Sequence, residues 1–152
     1  MTHPNIFEAD TLQELNKRIN RLSHTTQPQW GSMNVGQMLA HVNVTYEMMY
    51  DNIHPKPNAF VKLMLKLFVK QGVVGPKPYR KNLRTAPQFL ITDEREFDTE
   101  KKRLQHYLAK TRQLGIETIG AMESNSFGKL THNEWNTMMY KHLDHHLSQF
   151  GV

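Results

Sequence analysis

A chain of 152 residues with no cysteine and a formal charge of +5 is the size of one domain, expected to span residues 1–152. The lack of cysteine excludes disulfides, thiolate metal sites, iron–sulfur clusters and a cysteine nucleophile, so any metal must be held by nitrogen and oxygen. The positive charge comes from scattered basic residues and does not by itself mark a nucleic-acid binder.

The opening MTHPNIFEAD lacks the charged and apolar regions of a signal peptide, and no apolar run reaches the roughly 18 residues of a membrane span. A cytoplasmic protein without stable membrane insertion is expected. Leu12, Leu15, Ile19 and Leu22 then form the narrow apolar stripe of a first helix. Asp10, three residues before Gln13, reads as its capping-box start, and the helix is expected to end near His24. Thr25 to Trp30, with Pro28, reads as a loop.

A second helix has a clear start. Asn34 can cap it, Gln37 can reach back from the third position, and Met33 can staple onto Met38. Its stripe is Met38, Val42, Thr45, Met48 and Met49, with His41 on the flank of the inward face. The same helical angles put Glu47 outward and Tyr46 and Tyr50 on the borders.

The next segment, NAFVKLMLKLFVKQ, is apolar nearly all round except for Lys62, Lys66 and Lys70 at i, i+4 spacing. Such a short helix either packs on its own bundle or a second subunit or lies on a membrane surface, and packing is the plainer reading. The following GVVGPKPYRKNLRTAP is a loop punctuated by Gly and Pro that carries Lys77, Arg80, Lys81 and Arg84. It is either an ordinary solvated loop or, through Arg80 and Arg84, a contact for an anionic substrate.

Phe97, Leu104, Leu108 and Leu114 mark a long third helix that Gly115 can end. The last helix starts with a capping box of Thr131 and Glu134 and a staple of Leu130 and Trp135. Its stripe is Trp135, Met138, Met139, Leu143, Leu147 and Phe150, and His142 and His146 fall near the middle of it. Asp144 lies on the opposite, wet face and His145 at the stripe's edge.

Helices without any sustained period-two alternation predict an all-α bundle. Its connections, of about fifteen to forty residues, exceed those of a minimal up-down bundle and require long crossover loops. The i, i+4 pair His142 and His146 stacks two rings on one face, and His41 supplies a third from another helix. Three neutral nitrogen ligands with room for water is the pattern of a catalytic zinc site; nickel, iron or manganese can use the same set. Each histidine taken alone is more often a hydrogen-bonded core residue than a ligand, and only the set of three brings the metal reading level with that one. Leu143 follows His142, so the HExxH pattern of zincin proteases is absent. No Gly-rich phosphate loop, GxSxG or basic and aromatic alternation for nucleic acid occurs.

WGSMNVGQMLAHV, GPKPYRKNLRTAPQFLITDEREF and FGKLTHNEWNTMMYKHLDHHLSQFGV together resemble the DinB-like superfamily, in one of its uncharacterised bacterial branches. That resemblance implies a four-helix bundle with an extra short helix and one divalent metal, zinc or nickel ahead of iron or manganese. It places the metal on a second-helix histidine and a terminal HxxxH pair, which match His41, His142 and His146. By its own spacing, i, i+3 from His142, His145 is the runner-up ligand, and its edge position suits an outer or substrate-contacting role. Relatives of the branch carry a histidine and a proline before FGKL, where this chain has Ser124, Asn125 and Ser126, so the resemblance assigns that loop no role. The superfamily includes transferases acting with low-molecular-weight thiols, and many relatives form homodimers. It implies a metal-dependent thiol transferase or hydrolase acting on a small molecule, the alternative being a non-catalytic metal- or ligand-binding bundle.

Overall fold

The computed structural model describes residues 3–84 and 86–152 and is mostly helical. Met1, Thr2 and Thr85 lie outside the described residues. Helix α1 (Ala9–Arg21) buries Leu15 and Ile19 and is bounded by Glu8 and Leu22. Neither the Asp10 cap nor the end at His24 holds. The helix starts before Asp10, which sits in the first turn, and no side chain caps it. Arg18 ties α1 to the far end of the chain, donating to Asp144 at 2.7 Å and to the Val152 carbonyl.

Helix α2 (Val35–Tyr50) has the expected capping box between Asn34 and Gln37. Of Val35 to Glu47, every residue but Gln37 is buried. A one-sided stripe does not describe it, because α2 packs against both other long helices described next and against a 3-10 turn (Pro87–Phe89). Glu47, expected outward, is therefore buried. It accepts from Arg103 and from His54 Nε2 at 2.6 Å.

The apolar segment is three short pieces in one run: α3 (Ala59–Met64), a π-wound stretch (Leu65–Val69) and α4 (Lys70–Val74). Two of its lysines are turned back onto the protein, Lys62 toward Glu123 at 4.0 Å and Lys70 toward Glu134 at 2.7 Å. Phe60 and Phe68, 70% and 76% exposed, face solvent with Leu63 and Leu67.

Helix α5 (Phe97–Gly120) is capped by the Glu96 side chain on the Thr99 amide. Gly115, with φ 73° and ψ 167°, interrupts it, and helical winding resumes to Gly120. Glycine is required there because a side chain disfavours this region of the backbone. A two-residue hairpin follows, β1 (Glu123–Ser124) antiparallel to β2 (Gly128–Lys129), too short to leave any alternation in the sequence.

Helix α6 (His132–Gln149) begins at the Thr131 and Glu134 capping box. The N-terminal segment is tied to it, Ile6 N donating to Asn136 Oδ1 at 2.8 Å. One continuous core gathers Leu15 and Ile19 of α1, Met38 and Leu39 of α2, Leu104 and Leu108 of α5, and Met139 and Leu143 of α6. Among the described residues no helix is long and apolar enough to cross a membrane.

Candidate metal centre

The capping boxes set the phase of α2 and α6, and that phase brings three imidazoles together where the helices cross. His41 Nε2 lies 3.0 Å from His142 Nε2. One ligand atom from each of His41, His142 and His146 falls within 4.8 Å of the others. The ring centroids are 5.0, 4.5 and 4.9 Å apart, close to an equilateral triangle. His41 and His146 are buried and His142 is half-buried.

The outer nitrogens are all accounted for. His41 Nδ1 donates to the Phe89 carbonyl at 2.8 Å, and a carbonyl can only accept, so the proton is on Nδ1 and Nε2 carries a lone pair. His146 Nδ1 lies 2.8 Å from Gln149 Oε1, whose own amide donates to the Trp30 carbonyl at 2.7 Å. That second bond fixes which end of the Gln149 amide is oxygen, and so fixes the same tautomer on His146. His142 Nδ1 lies 3.0 Å from Thr45 Oγ1, a hydroxyl able to donate or accept.

Electrostatics keeps all three rings neutral. Burial lowers the pKa of His41, against the pull of its bond to Phe89. Burial, then the neighbouring His146 and His41 rings, lowers His142 further, and burial with His41 lowers His146 to about 3. Neutral imidazoles whose Nδ1 atoms have outside partners, with one ligand nitrogen of each ring within 4.8 Å of the others, are the donor set a divalent ion needs. The residues fit such an ion.

Above the histidines opens a cavity of about 730 Å³. Its walls are mainly apolar, from Met48 and Met49 of α2, Leu65 and Phe68 of the π-wound stretch, and Met138 of α6. Arg80 and Arg84 line it while remaining exposed, at its rim. His145 lines it as well, its ring 5.5 Å from Tyr79 and 5.8 Å from Trp30. Asn125, in the loop before FGKL, donates to the Met48 carbonyl at 3.1 Å and so holds the hairpin against the same space.

Over residues 1–151 the chain matches the family described as "Protein of unknown function (DUF1569)". The chain belongs to this family. No curated protein and no solved structure matches it. In this DUF1569 member the matched span takes in all three converging histidines and the arginines at the cavity rim.

Four supporting residues of this DUF1569 chain escape a sequence reading. Thr45 reads as stripe, although its spacing of four from His41 signals a place beside the rings. Gln149 stands three residues after His146, a spacing that signals contact. Phe89 acts through its backbone, for which no side-chain signal exists. Lys141 is buried, donating to the carbonyls of Gly72 at 2.9 Å, Gly75 at 2.6 Å and Lys77 at 3.1 Å. Its three donors are all used, and they hold the end of α4 onto α6 beside the site, with Tyr79 4.6 Å beneath the ammonium. Asp144, expected on the wet face, keeps its side chain 41% exposed and pairs there with Arg18.

Proposed function

We propose that this chain binds one divalent metal ion through Nε2 of His41, His142 and His146 and acts on a small molecule in the cavity above, as a thiol transferase or hydrolase of the DinB-like type. The observation that carries this reading is the pairing of each Nδ1 with an outside partner while one ligand nitrogen from each ring lies within 4.8 Å of the others. Zinc or nickel suits three neutral imidazoles best, with iron and manganese as further candidates. A divalent ion supplies Lewis acidity there, lowering the pKa of a thiol or water so that a nucleophile forms near neutral pH.

The chain's own residues do the rest. Phe89, Thr45 and Gln149 orient the rings, the apolar walls exclude water, and Arg80 and Arg84 offer charge to an anionic group of the substrate, for example a low-molecular-weight thiol. The DinB-like assignment is supported by four helices, α1, α2, α5 and α6, around one core with the ligands on α2 and α6. The homodimer belongs to the same reading, since the exposed Phe60, Leu63 and Leu67 give a second copy an apolar face to cover; light scattering tests it.

Elemental analysis of untagged protein purified without nickel resin or chelator tests the metal. The expected result is about one equivalent per chain, falling below about a tenth in His142→Ala; a metal-free wild type overturns it. If removing the ion lowers the melting temperature while thiol and ester panels show no metal-dependent turnover, the chain is a binding protein without catalysis.

A further inference from the structure

We infer that the cavity above the histidines takes an amphipathic carboxylate, its apolar chain against the methionine-rich wall and its charged group at Arg80 and Arg84. This deepens the metal reading and rests on it only for what faces the chain's other end. Holding chain and charge needs no ion.

The volume, about 730 Å³, falls in the upper part of the range for small-molecule pockets. A small polar ligand would leave most of the Met48, Met49, Leu65 and Met138 surface against water, so only an apolar body gains from this lining. Methionine adapts to ligand shape, which suits a flexible hydrocarbon chain. The wall that supplies Leu65 and Phe68 is π-wound, a winding that concentrates at functional positions.

The charges at the rim select the head group. Apart from histidines, the charged residues lining the cavity are Arg80, Arg84 and Glu123. Glu123 faces Lys62 at 4.0 Å. Among the described residues neither arginine lies within ion-pair distance of a carboxylate. The rim therefore presents two guanidinium groups to a ligand, and a guanidinium matches a carboxylate through paired hydrogen bonds.

Calorimetric titration of the full chain with hexanoate, dodecanoate and dodecyltrimethylammonium tests this, in chelator-treated and zinc-loaded protein. Each buried methylene tightens binding about threefold to fourfold, so dodecanoate is expected to bind at least about a hundredfold tighter than hexanoate. It is expected to bind at least about tenfold tighter than the cation, a preference lost in Arg80→Glu/Arg84→Glu, whose exposed positions leave the fold intact. Met138→Trp and Met49→Trp fill the cavity and are each expected to weaken dodecanoate about tenfold or more. Equal binding of anion and cation, a preference kept in the double variant, or no dependence on chain length overturns the inference. So does unchanged affinity in both tryptophan variants, which puts the chain on the exposed face of α3. Dodecanoate binding with no zinc binding sinks the metal reading alone; zinc binding with no dodecanoate binding sinks this inference alone.

Discussion

Replacing Thr45 by valine removes one hydroxyl and keeps the shape of the side chain, so it isolates what the 3.0 Å contact to His142 Nδ1 does. Without an ion, His41 Nε2 has a lone pair, so the 3.0 Å contact between the two Nε2 atoms requires the proton on His142 Nε2. Thr45 then donates to His142 Nδ1. Ligation reverses this: His142 must offer its Nε2 lone pair, its proton moves to Nδ1, and Thr45 Oγ1 accepts it. A hydroxyl serves both states and a methyl serves neither. Loss of such an outer partner costs about 10-fold to 100-fold in metal affinity, or about 1.4–2.7 kcal/mol. Stability of the metal-free protein should change less, by about 1 kcal/mol, because there the hydroxyl's bond joins two neutral groups, whereas on a ligated ring the cation strengthens the bond that Nδ1–H donates. Competition of zinc against a fluorescent chelator at neutral pH measures the affinity. A Thr45→Val affinity within twofold of wild type would refute the tautomer argument.

Other consequences follow from the same contacts. In chelator, the low folded pKa of His146, about 3, means that below pH 6.5 the unfolded chain takes up a proton the folded site refuses. Stability present above pH 6.5 is thus lost as pH falls toward 3, by about 2 kcal/mol at pH 5 from His146 alone. Thermal melts from pH 7 to 5 should fall, with a shallower slope in His146→Gln, and a flat wild-type profile contradicts this. Lys141→Met strips the donor from three carbonyls and should cost about 2 kcal/mol in urea melts, with faster amide exchange over residues 72–79; unchanged exchange there would show that Lys141 does not hold the segment. Arg103→Ala leaves the buried Glu47 and Glu100 without their shared partner. The loss should be about 2–3 kcal/mol, below the figure for a fully buried pair because Arg103 is one-third exposed, and a loss under about 0.5 kcal/mol would place it among ordinary surface pairs.

The site was legible where it depended on local winding. Thr131 with Glu134 and Asn34 with Gln37 set the phase of two helices, and from there the 3.6-residue period carries His41, His142 and His146 inward. Glu47 was not legible, since the period separates one face from another only when a helix has a solvent face, and α2 has almost none. The same limit hid the Asn43 and Glu100 contact at 2.8 Å. Asp10 looks like a cap, yet nothing in the pattern says that the turn begins two residues earlier at Glu8. The apolar stretch of Lys62, Lys66 and Lys70 shows a further gap. Composition alone suggests wet lysines and dry hydrocarbon, whereas the acidic partners Glu123 and Glu134, distant in sequence, draw two of those lysines back and leave Phe60 and Phe68 outside.

X-ray absorption at the zinc edge of the zinc-loaded chain tests the central claim most directly. The account predicts a nitrogen and oxygen shell near about 2.0–2.1 Å with the scattering of three imidazoles, reduced to two in His41→Ala. A spectrum without imidazole scattering, or one unchanged in His41→Ala, would contradict it.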